Sequence, residues 1–95
     1  MCLALYYDLL NYSIIFLVIN MKIEHKDKYI LLGLNIAYYR KLNGFTQESL
    51  AEKLDVDRTT ISKIELATSG ISMDLIFDIA DLFGIPVEKL FDFNR

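Results

Sequence analysis

The sequence predicts an all-α domain of five short helices, preceded by an apolar N-terminal extension. Three observations carry this expectation. The chain has 95 residues, enough for one domain and too few for a large two-domain enzyme. Its apolar residues recur at helical rather than alternating intervals, with no period-two run in competition. A single proline and four glycines argue against a disordered or fibrous chain.

The first helix spans Tyr29 to Leu42, where Ile30, Leu32, Leu34, Ile36, Ala37 and Tyr39 repeat in a helical pattern. Asn43-Gly44 ends it, with Gly44 suited to a left-handed cap. Thr46 caps a second helix running to Leu54, Glu48 complements its dipole, and Leu50, Ala51 and Leu54 share one face. Asp57 caps a third helix from Arg58 to about Leu66, with Ile61 and Ile64 on the inner side. Thr68-Ser69-Gly70 reads as a loop. Ser72 caps a fourth helix to Phe83, which buries Leu75, Ile76, Ile79, Ala80 and Phe83 and stops at Gly84. Pro86 opens a fifth containing Val87, Leu90 and Phe91.

Composition divides the chain near residue 20. Of the first 20 residues, 16 are apolar, against 35 of the remaining 75. The expected organisation is an extension over 1–20 and a domain over 21–95. The extension admits three readings: translated sequence upstream of a true start at Met21, an extra helix packed on the domain or its dimer, or a membrane anchor. A spanning helix needs roughly 20 apolar residues, and Asp8 and Asn11 interrupt this stretch. A secretory signal would show a basic start and a small-residue cleavage site, and neither is visible. A cytoplasmic protein without a membrane partner is expected.

Ten basic against thirteen acidic side chains give −3, so overall charge does not announce a nucleic-acid binder. The balance is uneven, however. Residues 21–63 hold eight basic and six acidic groups, while 64–95 hold two and six, so a surface meeting a polyanion belongs to the first block. One cysteine (Cys2) and one histidine (His25) exclude a disulfide framework and leave little for metal chemistry. There is no Ser-His-Asp set, glycine-rich phosphate loop or metal cluster, so no enzyme, cofactor or small-molecule ligand is expected.

The informative stretch is Gln47 to Leu66, QESLAEKLDVDRTTISKIEL. Only Asp55, Val56 and Asp57 separate two short helices, too few for an antiparallel hairpin, so the helices must cross steeply. Ala51 is small where they approach, and Leu50, Leu54, Val56, Ile61 and Ile64 fill the wedge. This is a helix-turn-helix, whose second helix can enter the DNA major groove.

With Arg40, Gln47, Ala51, Ile61 and Glu65 at family spacing, about residues 29–92 resemble the Cro/phage-repressor (xenobiotic-response-element) type helix-turn-helix family. The resemblance implies a lambda-repressor-like fold binding double-stranded DNA as a transcriptional regulator, specifically a repressor. It assigns Thr46 and Gln47 to the DNA interface, with Gln47 on a phosphate, and Arg58, Thr59, Thr60, Ser62 and Lys63 to the exposed face of the recognition helix. Arg58 and Lys63 suit guanine O6 and N7, and Thr59 or Thr60 a thymine methyl. Arg40 and Glu65 match a structural ion pair. Leu82, Leu90, Phe91 and Phe93 form the expected homodimer interface, which would set two recognition helices about one DNA turn apart.

Two departures stand out. Position 55 usually carries glycine but here is Asp55, and the loop Leu66–Ile71 carries no positive charge, which implies modest affinity and dependence on a dimer. Lys22, Lys26 and Lys28 read either as a basic arm near phosphate or as a solvated run. The rival function is a protein-binding module, antitoxin-like, that binds DNA only with a protein partner.

Overall fold

The computed structural model describes residues 23–94, so the readings of the 1–20 extension, Cys2 and Lys22 lie outside the described residues. A 3-10 turn at Ile23–His25 leads into α1 (Lys26–Leu42), followed by α2 (Gln47–Leu54), α3 (Arg58–Glu65) and α4 (Met73–Phe83). Among the described residues there is no strand. The fifth helix is corrected to a 3-10 turn at Val87–Phe91. Pro86 provides an extended start, but five residues close little more than one turn. Helix α1 begins three residues before the expected Tyr29, because Lys26-Asp27-Lys28 form a polar first turn without a side-chain cap.

Local chemistry sets the other boundaries. Thr46 Oγ1 accepts from the Ser49 amide at 2.9 Å, and Ser49 Oγ accepts from the Thr46 amide at 2.9 Å, a reciprocal capping box at the start of α2. Ser72 Oγ accepts from the Leu75 amide at 3.2 Å and opens α4. Asp57 stands at the N-cap of α3 as expected, but its side chain makes no capping bond. Gly44 and Gly84 adopt positive φ (78° and 67°) just past α1 and α4. Asp55 takes the left-handed conformation (φ 56°, ψ 46°), supplying the reversal for which the resemblance expects glycine.

The core lies where all four helices converge. Ile36, Leu50, Ile61, Ile79 and Leu90 are fully buried there, joined by Leu32, Ala51, Ile64, Ile76, Ala80 and Phe83. Leu54, Val56, Leu75 and Val87 pack against its edge. Only part of α1's apolar pattern is internal: Leu32 and Ile36 are buried, while Ile30, Leu34 and Tyr38 stay exposed.

Asn35, buried on α1, ties that helix to the C-terminal turn. Its Nδ2 donates to the carbonyls of Leu90 (2.9 Å) and Asp92 (3.1 Å), satisfying backbone acceptors where the 3-10 turn finishes. No described helix is long and apolar enough to cross a membrane. Among the described residues, no group of three or more His, Cys, Asp or Glu is placed to hold a metal.

Candidate DNA interface

The site is built on α3, which packs on α2 and α1 through Ile61 and Ile64. With those two residues inward, the 100° step per residue turns Arg58, Thr59, Ser62 and Lys63 outward together. Arg58 and Thr59 are exposed, and Ser62 and Lys63 are half-buried at their bases. Thr60 is also half-buried and falls on the flank of this face. Leu66 extends the outward face at the C-terminal end and is 69% exposed, so an apolar group stands where the loop lacks cations.

The attachment of α3 is charged and largely buried. Arg40 Nε donates to Glu65 Oε2 at 2.6 Å and Nη2 to Oε1 at 3.1 Å, a two-pronged geometry, with side chains only 10% and 7% exposed. The third guanidinium nitrogen, Nη1, donates to the Phe45 carbonyl at 2.8 Å and so fixes the bend before α2. Gln47 Nε2 adds a 3.0 Å bond to Glu65 Oε1. Gln47 is therefore engaged inside the domain, linking the first residue of α2 to the last of α3. Thr46 is exposed, with its hydroxyl in the capping box.

Several contributors went unmarked in the sequence. Gly33 lets α1 approach the end of α3 so closely that a Cβ there would lie 2.6 Å from the Ile64 carbonyl oxygen. Lys26 Nζ donates to the Ala67 carbonyl just beyond α3, so this lysine serves an internal contact and not a free arm. Ser49, three residues after Thr46, stands where the sequence signature of a capping box has Glu or Gln, so its role was not marked. Gly33 left only the weak signal of a glycine inside a helix.

The expected dimer surface divides. Leu90 is fully buried, because the 3-10 turn directs it into the core, so it is corrected to a core residue. Phe91 is 42% exposed, and Leu82 and Phe93 are half-buried at the core's edge. Phe91 and Phe93 line an open apolar groove of about 360 Å³ with Tyr29, Leu32, Met73 and Ile76.

Two short packed helices joined by a three-residue turn, the second with a polar, basic-tipped outer face, define a helix-turn-helix DNA-binding protein. The helix-turn-helix family model matches residues 36–90. The chain belongs to this family, in its Cro/C1-type (xenobiotic-response-element) branch, and its function is DNA-binding transcription regulation. It is 46% identical over 56 residues to an uncharacterized HTH-type transcriptional regulator of Methanocaldococcus jannaschii, covering 59% of this chain and 85% of that one. It is 35% identical over 66 residues to the control protein C.BamHI of Bacillus amyloliquefaciens, covering 68% and 82%. The crystal structure of the restriction-modification controller protein C.AhdI from Aeromonas hydrophila superposes with a TM-score of 0.67 at 25% identity, covering 70% of this chain and 97% of that chain. These likenesses do not favour the partner-dependent binding module.

Proposed function

We propose that the protein is a sequence-specific repressor that binds double-stranded DNA as a homodimer, with α3 in the major groove. The observation that carries this reading is the outward set Arg58, Thr59, Ser62 and Lys63 on a helix locked by the Arg40–Glu65 pair. Arg58 and Lys63 serve guanine edges, Thr59 a thymine methyl, and Ser62 either partner. Thr60, on the flank, supports the set from its edge. The start of α2 approaches a phosphate through its first amides, with Thr46 and the second Gln47 amide hydrogen as polar neighbours.

Dimerisation through Phe91, Phe93 and Leu82 brings two α3 helices to successive major grooves on one face of the duplex, about 34–36 Å apart. The likeness to the controller proteins C.BamHI and C.AhdI supports a regulatory role on DNA. The protein works without catalysis or cofactor, in the cytoplasm.

Selection of bound duplexes from a random library tests the reading. Two-fold-related half-sites are expected, and Arg58→Ala should cost about 1–3 kcal/mol, confined to particular base positions. A uniform loss over all sequences would instead make Arg58 a phosphate contact. Phe91→Glu should yield a monomer by sedimentation, with weaker operator binding. An unchanged dimer would remove the C-terminal interface.

A further inference from the structure

Helix α1 meets the recognition helix along a single line. Lys26, Gly33 and Arg40 are spaced seven residues apart, which puts them on one face of α1 within about 40°. All three act on the same stretch, Ile64 to Ala67. Lys26 donates to the Ala67 carbonyl. A Cβ at Gly33 would meet the Ile64 and Glu65 carbonyl oxygens at 2.6 and 2.8 Å, and these are backbone atoms that cannot swing aside. Arg40 holds the Glu65 carboxylate.

We propose that Lys26 and Gly33 are positioning residues for DNA reading, setting the height and tilt at which α3 presents its base-contacting face. The inference rests on the function proposed above. Neither residue belongs to that face, so any influence on base choice must pass through the placement of α3. A carbon normally stands about 3.3 Å from a carbonyl oxygen, so a methyl at position 33 would displace the end of α3 by roughly 0.5–0.7 Å. Recognition geometry tolerates only about 0.5 Å of error, so a shift of that size is enough to be felt.

Lys26 acts from the other side, by attraction. Its ammonium stands near the C-terminal, electronegative end of α3 and holds a backbone turn in which Ala67 is buried with φ of 57°. The bare backbone at Gly33 sets how closely α3 can approach α1, and the Lys26 bond keeps the following turn drawn onto α1. Together they fix the distal end of the helix whose proximal end carries Arg58.

The test compares full-length wild type with Gly33→Ala, Lys26→Met, Lys26→Arg and Arg58→Ala. Affinity for the selected operator and for a random duplex is measured across salt, at a temperature where circular dichroism shows each variant folded. Gly33→Ala and Lys26→Met should each weaken operator binding about tenfold, the size of one lost base contact, with random-duplex affinity and salt slope unchanged. Lys26→Arg, which keeps a cationic donor, should restore most of the difference.

A parallel fall on both duplexes with a salt slope smaller by about one would make Lys26 a phosphate contact and overturn its positioning role. A lower melting temperature in Gly33→Ala with an unchanged operator-to-random ratio would reduce Gly33 to packing alone. Should Gly33→Ala not fold, the Lys26 pair decides the outcome. If Arg58→Ala also leaves the ratio unchanged, α3 is not the reader, and the proposed function fails together with this inference. Sensitivity at Arg58 without sensitivity at positions 26 and 33 overturns the inference alone.

Discussion

Replacing Arg40 with methionine removes the guanidinium while filling much of its volume. The carboxylate of Glu65 would remain, 7% exposed, with Gln47 as its one remaining hydrogen-bond partner from the present set, and the Phe45 carbonyl would lose its 2.8 Å donor. Breaking one side of a buried pair costs about 3–5 kcal/mol, because the surviving charge is left uncompensated. A domain of this size holds only about 4–11 kcal/mol in total, so Arg40→Met should be barely stable. Urea unfolding followed by far-ultraviolet circular dichroism measures the loss. With a slope of about 1–1.5 kcal/mol per molar urea, the midpoint should fall by about 2–5 M at constant slope.

The double variant Arg40→Met/Glu65→Leu discriminates between causes. It removes the stranded charge, so it should be more stable than Arg40→Met, with a coupling of about 2 kcal/mol or more between the sites. Arg40→Lys keeps the charge but not the fork, and its stability should lie between wild type and Arg40→Met. A single-variant loss below about 1 kcal/mol, together with additive effects, would mean that the pair behaves as a solvated surface contact. The account of how α3 is held would then be refuted.

Three further outcomes follow from local geometry and can be read by the same unfolding assay. Thr46→Ala and Ser72→Ala should each cost about 1 kcal/mol through a lost cap, whereas Asp57→Ala should cost less than about 0.5 kcal/mol because no capping bond is present. Asp55→Gly should raise stability by about 0.5–1 kcal/mol, since φ of 56° is strained for a residue with a Cβ, and Asp55→Val should lower it. Ile61→Val should cost about 0.5–1.5 kcal/mol and Ile61→Ala about 2–5 kcal/mol, as its side chain is fully buried on the inner side of α3.

What the sequence made legible was local. Thr46, Ser72, Gly44 and Gly84 mark helix ends through their own backbone preferences, and the structure uses each one at or beside its expected position. The three-residue turn and the small Ala51 sufficed for the close packing of α2 on α3. Distant partners were not legible. Apolar residues surround much of α1, so its period gave a helix without specifying that Leu32 and Ile36 face inward while Ile30 and Leu34 do not.

Lys26, Gly33 and Asn35 acquire their roles only when α3 and the C-terminal turn come against them. Leu90 and Phe91 are adjacent in sequence, and only the 3-10 geometry sends one into the core and leaves the other at the surface. Gln47 was expected at a phosphate, but its bond to Glu65 depends on the rotamer chosen across the helix pair.

Because Asn35 donates to the main-chain oxygens of residues 90 and 92, those two bonds do not depend on which side chains the two positions carry. Leu90 and Phe93 are separately constrained by the core, but Phe91 and Asp92 are exposed and can vary without breaking these bonds. A gene duplicate could therefore change the exposed side chains of its tail while its helix-turn-helix stayed intact.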